Sequence, residues 1–103
     1  MQGWPMKYMF CRNKVRDYNV WKRIFDSHAD AHREAGLHLV RVWQLVDDPN
    51  TVYFLFEIHD LESAKAFVSN PGSEEIGRQA GVIDGEIVYL EDAGGYQSKK
   101  PEK

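Results

Sequence analysis

The sequence predicts an α+β fold with two helical regions interleaved among four strands, in the order βαββαβ. Three observations lead there. Four short stretches are dense in aromatic and β-branched residues, the composition that suits pleated, half-buried backbone. Two longer stretches each begin with an aspartate able to cap a helix and carry apolar residues at helical spacing. Glycine or proline–glycine punctuation closes each of these longer stretches.

The first strand is expected at Tyr8–Val15 (YMFCRNKV). Asp17 then caps one helix running to Gly36, with Trp21, Ile24, Phe25, His28, Ala31, His32 and Ala35 on its apolar stripe and Gly36 as its left-handed stop. Leu37–Val46 forms the second strand, Asp48-Pro49-Asn50 a turn, and Thr51–Ile58 the third strand. Asp60 caps a second helix with Leu61, Ala64, Phe67 and Val68 facing inward. Asn70-Pro71-Gly72 breaks it, and Ser73 caps a short helix ended by Gly81. Val82–Leu90 is the last strand. This order in so short a chain is the ferredoxin-like split βαβ arrangement, a four-stranded antiparallel sheet with helices on one face.

The 103 residues fit one domain, placed at residues 1–92, and the polar, glycine-rich residues 93–103 read as a flexible tail. A net charge of −3 argues against a phosphate-backbone binder, and no nucleic-acid partner is expected. The single cysteine, Cys11, has no internal disulfide partner and reads as a small buried hydrophobe in a reducing compartment. Neither a leader pattern nor a long apolar run is visible, so a cytoplasmic protein without a membrane span is expected.

The hairpin between the second and third strands sorts its residues onto two faces. With Asp47 opposite Thr51, Val46 faces Val52, Gln44 faces Phe54, Val42 faces Phe56 and Val40 faces Ile58, an apolar set that belongs under the helices. The other face pairs Leu45 with Tyr53, Trp43 with Leu55, and Arg41 with Glu57 as a cross-strand ion pair. Leu39, Trp43, Leu45, Tyr53 and Leu55 would then form an apolar surface with no helix over it, which predicts a homodimer through the sheet face. Arg41 could bind a substrate anion, and Trp43 and Tyr53 could stack a ligand, but structural pairing and interface packing are the ordinary roles. His59, beside Asp60 at a strand end, is expected to be exposed.

This order and the two-faced sheet resemble the dimeric α/β-barrel superfamily. Its small antibiotic-biosynthesis-monooxygenase-like and cyclase-like members are the nearest likeness. Asp17–Leu37, Val46–Asn70 and Gly81–Asp92 carry it, across about residues 6–92. The resemblance implies a cavity between helices and sheet. It also implies monooxygenase, cyclase or isomerase chemistry on a small aromatic or polyketide-like compound, with no tightly bound organic cofactor. Some relatives hold haem, but the sequence locates no axial ligand. A non-catalytic, stress-associated binding protein is the alternative.

His28 and His32 are the candidate catalytic residues. On a helical wheel with Trp21 at zero, Phe25 falls near about 40°, His28 near about 340° and His32 near about 20°, while Asp26, Asp30, Arg33 and Glu34 lie opposite. Both imidazoles are thus expected to point toward the sheet, which leaves three readings. Two histidines four apart can share a metal, but the HExxH glutamate is missing and the inner sheet face offers only Gln44 as a central polar group. His38 and Glu57 could serve only in another register, so no metal is assigned. Both could instead be hydrogen-bonded core groups. Or one is the polar feature of a pocket walled by Trp21, Phe25, Phe54 and Phe56, neutral by burial and able to accept a proton.

Overall fold

The computed structural model describes residues 5–94. Its elements are β1 (Lys7–Val15), α1 (Tyr18–Ser27), α2 (Ala29–Glu34), β2 (Leu37–Leu45), β3 (Asp48–Ile58), α3 (Leu61–Ser69), α4 (Pro71–Gln79) and β4 (Val82–Glu91). The strands form one antiparallel sheet in the order β2-β3-β1-β4, the ferredoxin-like topology. The expected tail lies outside the described residues apart from Ala93 and Gly94.

The core forms where alternate residues of the two central strands meet the helices. Met9, Cys11 and Val15 of β1 and Val52, Phe54, Phe56 and Ile58 of β3 are buried together with Trp21, Leu37, Ala64 and Ala80. Ile24, Phe25, Phe67 and Val68 pack against them from the helices. Asp17 and Asp60 cap α1 and α3 as expected, each accepting from two backbone N–H groups of the first turn. Gly36 stops α2 at φ +78°, and its carbonyl accepts from His59 N at 2.8 Å.

Three expectations about elements are corrected. The first helix is not continuous: it breaks at His28 (φ −107°, ψ 19°). The Ser27 hydroxyl (2.6 Å) and His28 Nδ1 (2.9 Å) both donate to the Ile24 carbonyl, and His28 N turns to Phe25 O instead. Side chains that compete for a backbone acceptor end a helix in this way. Asn70-Pro71-Gly72 does end the helix capped by Asp60, α3, after Ser69, but Ser73 does not cap the next one, which Pro71 already begins. Asn70 is the cap, its Oδ1 accepting from Gly72 N at 2.7 Å, and Ser73 lies inside with its hydroxyl on Phe67 O. Proline at the first helical position loses no hydrogen bond there.

The hairpin differs most. The turn is Val46–Asp47, and Asp48-Pro49-Asn50 opens β3. Pro49 has no N–H to give to β2. The Asp48 carboxylate instead accepts from Asn50 N, Thr51 Oγ1 and Lys14 Nζ. Gln44 therefore faces Val52, Val42 faces Phe54, Trp43 faces Tyr53 and Arg41 faces Leu55, each two residues from the expected partner. The two faces survive this shift because it is an even number. A bulge at Val40 then reverses them, so that Leu39 faces Phe56 and belongs to the helix side rather than the open face. Glu57 lies opposite His38, not Arg41, and no Arg41–Glu57 ion pair forms among the described residues.

Candidate functional site: a cleft between helices and sheet

The helices cover β3 and β1 but stop short of β4. Its inward-facing Ile87 and Tyr89 remain about two-fifths exposed, at 40% and 39%. A cleft of about 700 Å³ opens between α3–α4 and this uncovered side of the sheet. Its floor is Met9, Cys11 and Asn13 of β1, Phe54 and Phe56 of β3, and Gly85 and Ile87 of β4. Its wall is Phe67–Asn70 with Ser73, Glu74 and Gly77. His32 lines one part of it, and a side lobe of about 120 Å³ adjoins, bordered by Trp21, Phe25 and His28. The volume and the mostly apolar lining suit a small organic ligand.

His32 is held by three aromatic rings: Phe25 at 5.0 Å, Phe56 at 5.1 Å and Phe67 at 5.7 Å between centroids. Burial, with the nearby His28 adding to it, lowers its pKa to about 4. The ring is therefore neutral near pH 7. No described side chain or backbone group hydrogen-bonds to its nitrogens. His28 differs, since its Nδ1 is committed to Ile24 O. The two histidines thus separate: His28 is a helix-terminus group at the lobe, and His32 is a neutral imidazole with its nitrogens unspent.

Of the expected walls, Phe54 and Phe56 line the main cleft, while Trp21 and Phe25 line only the lobe. Trp21 is 2% exposed and stacked on Phe25 at 4.6 Å, the position of a core residue. The Cys11 thiol on the floor is pushed up to about 12 by burial and stays protonated. Gln44 is exposed on the edge strand, donating to Pro49 O, rather than a central polar group. Among the described residues no three His, Cys, Asp or Glu side chains converge to hold a metal ion.

The sequence reading missed Asn13, the polar residue of the floor. With its amide turned so that both ends are satisfied, it donates to Arg12 O (3.0 Å) and accepts from Trp21 Nε1 (3.2 Å). Opposite it stands Gly85, where a Cβ would come within 2.9 Å of that amide and 3.2 Å of Arg12 O. Strict alternation along Met9, Cys11, Asn13 and Val15 could have placed Asn13 on the inner face.

No protein-family model and no curated protein matches the chain. Solved structures do match. A Bordetella bronchiseptica protein provisionally named an antibiotic biosynthesis monooxygenase superposes with a TM-score of 0.71 at 9% identity, covering 86% of this chain and 98% of that one. An antibiotic biosynthesis monooxygenase gives 0.64 at 16%, covering 87% and 100%. The chain shares the ferredoxin-like fold of these proteins. An Agrobacterium tumefaciens protein of the nipsnap family, of unknown function, gives 0.64 at 11%, covering 85% and 88%. At these identities the likeness is one of fold and carries no residue across. No helix among the described residues is long and apolar enough to cross a membrane.

Proposed function

We propose that the cleft binds a small aromatic or polyketide-like compound and that the protein converts it by monooxygenase-, cyclase- or isomerase-type chemistry, as a cytoplasmic homodimer. The observation that carries this is His32, a neutral imidazole on an apolar cleft with no hydrogen-bond partner on either nitrogen among the described residues. An unpaired polar group at such a site is costly unless water or a ligand satisfies it. A phenolic hydroxyl or an enolisable carbonyl would do so.

The low pKa limits what His32 does next. Moving a proton from a phenol of pKa about 10 to a ring of pKa about 4 costs roughly 8 kcal/mol. A turnover of about 10 per second allows a barrier of roughly 16 kcal/mol, so the step is uphill but open. The same cost supports the second reading, a dimeric binding protein in which His32 only holds the ligand. The rest of the cleft supplies placement: Phe54, Phe56 and Phe67 give flat apolar walls.

The test incubates the protein with polycyclic phenols in air, without added flavin or metal, and follows both binding and product. Wild type and His28→Ala should bind and convert them, while His32→Leu should bind at least tenfold more weakly and give no product. Binding without conversion by wild type would establish the second reading. Unchanged binding and conversion in His32→Leu would remove His32 from the site.

A further inference from the structure

Among the described residues the cleft is lined by one carboxylate side chain. Glu74, on the wall formed by α4, lines the cavity, and no lysine or arginine among the described residues does. Its carboxylate makes no ion pair among the described residues. The cations nearby in sequence are engaged elsewhere: Arg78 pairs with Glu75, and Lys65 of α3 lies over the Tyr89 ring at 5.6 Å. The other titratable groups of the lining, His32 and Cys11, are uncharged.

One feature could still favour an anion, the N-terminus of α4, which borders the same wall. A helix start attracts negative charge through free N–H groups. Here none is free in the first turn. Pro71 has no N–H, Gly72 N donates to Asn70 Oδ1 (2.7 Å), and Ser73 N and Glu74 N both donate to Asn70 O (2.9 and 3.3 Å). The cleft therefore offers apolar walls, uncharged hydrogen-bonding groups and a single negative charge.

We infer that the cleft selects its ligand by charge, taking neutral or amine-bearing aromatic compounds and rejecting carboxylates and phosphates, with Glu74 as the specificity-determining residue. This rests on the reading of the cleft as the ligand site. An anion would give up its hydration for a cavity that returns no positive charge, and it would face Glu74 besides. A protonated amine placed at the wall would gain an ion pair, modest in size because Glu74 is exposed.

The test uses the full chain and three probes of one shape: 2-naphthylmethylamine, 2-naphthylmethanol and 2-naphthoate, titrated calorimetrically at pH 7 and low salt. The amine and the alcohol should bind, and the carboxylate should bind at least roughly tenfold more weakly than the amine. Glu74→Gln should shrink the amine-to-carboxylate ratio about fivefold, and Glu74→Lys should invert the preference. Glu62→Gln, which changes net charge equally on the neighbouring helix, should leave the ratio as it is. Naphthoate binding as tightly as the alcohol, or an unchanged ratio in Glu74→Gln, would overturn charge selection while leaving the cleft as a binding site. Failure of all three probes to bind would overturn the site and the selection with it.

Discussion

His32 differs from the other inward-facing side chains of the helix layer in one respect. Its neighbours Phe25, Phe56 and Phe67 satisfy it as a ring but not as a base, because none of them carries a hydrogen-bonding atom. That imbalance has a pH signature. Above pH 6.5 the ring is neutral in both folded and unfolded chains and contributes no pH dependence. Between pH 6.5 and about 4 the unfolded chain takes up a proton that the folded one refuses, so stability falls as pH falls through that window. The loss should be about 2 kcal/mol, below the full shift because the ring is only partly shielded from water. Urea unfolding at pH 7 and pH 4 should show His32→Phe losing about 2 kcal/mol less than wild type over that span. Parallel losses would mean that His32 titrates normally. The inward placement of His32 was legible from its wheel position. Its difference from His28 was not, since that depends on which side chain captures the Ile24 carbonyl.

At the scale of elements, the sequence was most readable where one residue type has one geometric use. Asp17 and Asp60 cap helices, and Gly36 supplies the left-handed stop. It was least readable where two local preferences compete. Asn70-Pro71-Gly72 contains a cap, a first-turn proline and a glycine, which fit a helix start as well as a break. The hairpin hid a bulge at Val40, because a string of apolar residues such as Leu39-Val40 does not show which of them is extra. Asn13 went unseen because aromatic and β-branched residues occupy both faces of β1. Two glycines of the cleft make opposite predictions at this scale. Gly77 sits in helical backbone, and a Cβ there meets only Val82 Cγ2 at 3.9 Å. Gly77→Ala should raise stability by about 0.5–1 kcal/mol and the melting temperature by roughly 3–6 °C. Gly85→Ala should lower the melting temperature, because the new Cβ crowds both the Asn13 amide and the Arg12 carbonyl to which it bonds. Differential scanning calorimetry checks both, and the reverse order would contradict the packing described here.

For the whole molecule, the two faces of the sheet have different fates. The helix side makes the core and the cleft. The other side gathers Phe10, Trp43, Tyr53 and Leu55 with Val88 and Leu90 of β4, and Phe10 lies edge-on to Trp43 (6.2 Å) and stacked with Tyr53 (5.8 Å). Trp43 is 41% exposed and Leu90 47%, a large aromatic surface to leave in water. A second copy packed face to face would cover it through one self-complementary patch. Sedimentation at micromolar concentration should show a dimer for wild type and a monomer for Trp43→Glu with Leu55→Glu. A wild-type monomer would contradict this assembly. The same face also carries a smaller hollow of about 320 Å³ lined by Phe10, Arg12, Tyr53, Glu86 and Val88, a rival to the helix–sheet cleft as the place where a small molecule settles.

Backbone amide NMR during titration with 2-naphthylmethanol separates the two directly. If the cleft is the ligand site, saturable shifts will concentrate at Asn13, Phe67, Gly77 and Gly85 around His32, while Phe10 and Val88 stay still. Shifts centred on Phe10, Arg12 and Val88, or none at any concentration reached, would contradict it.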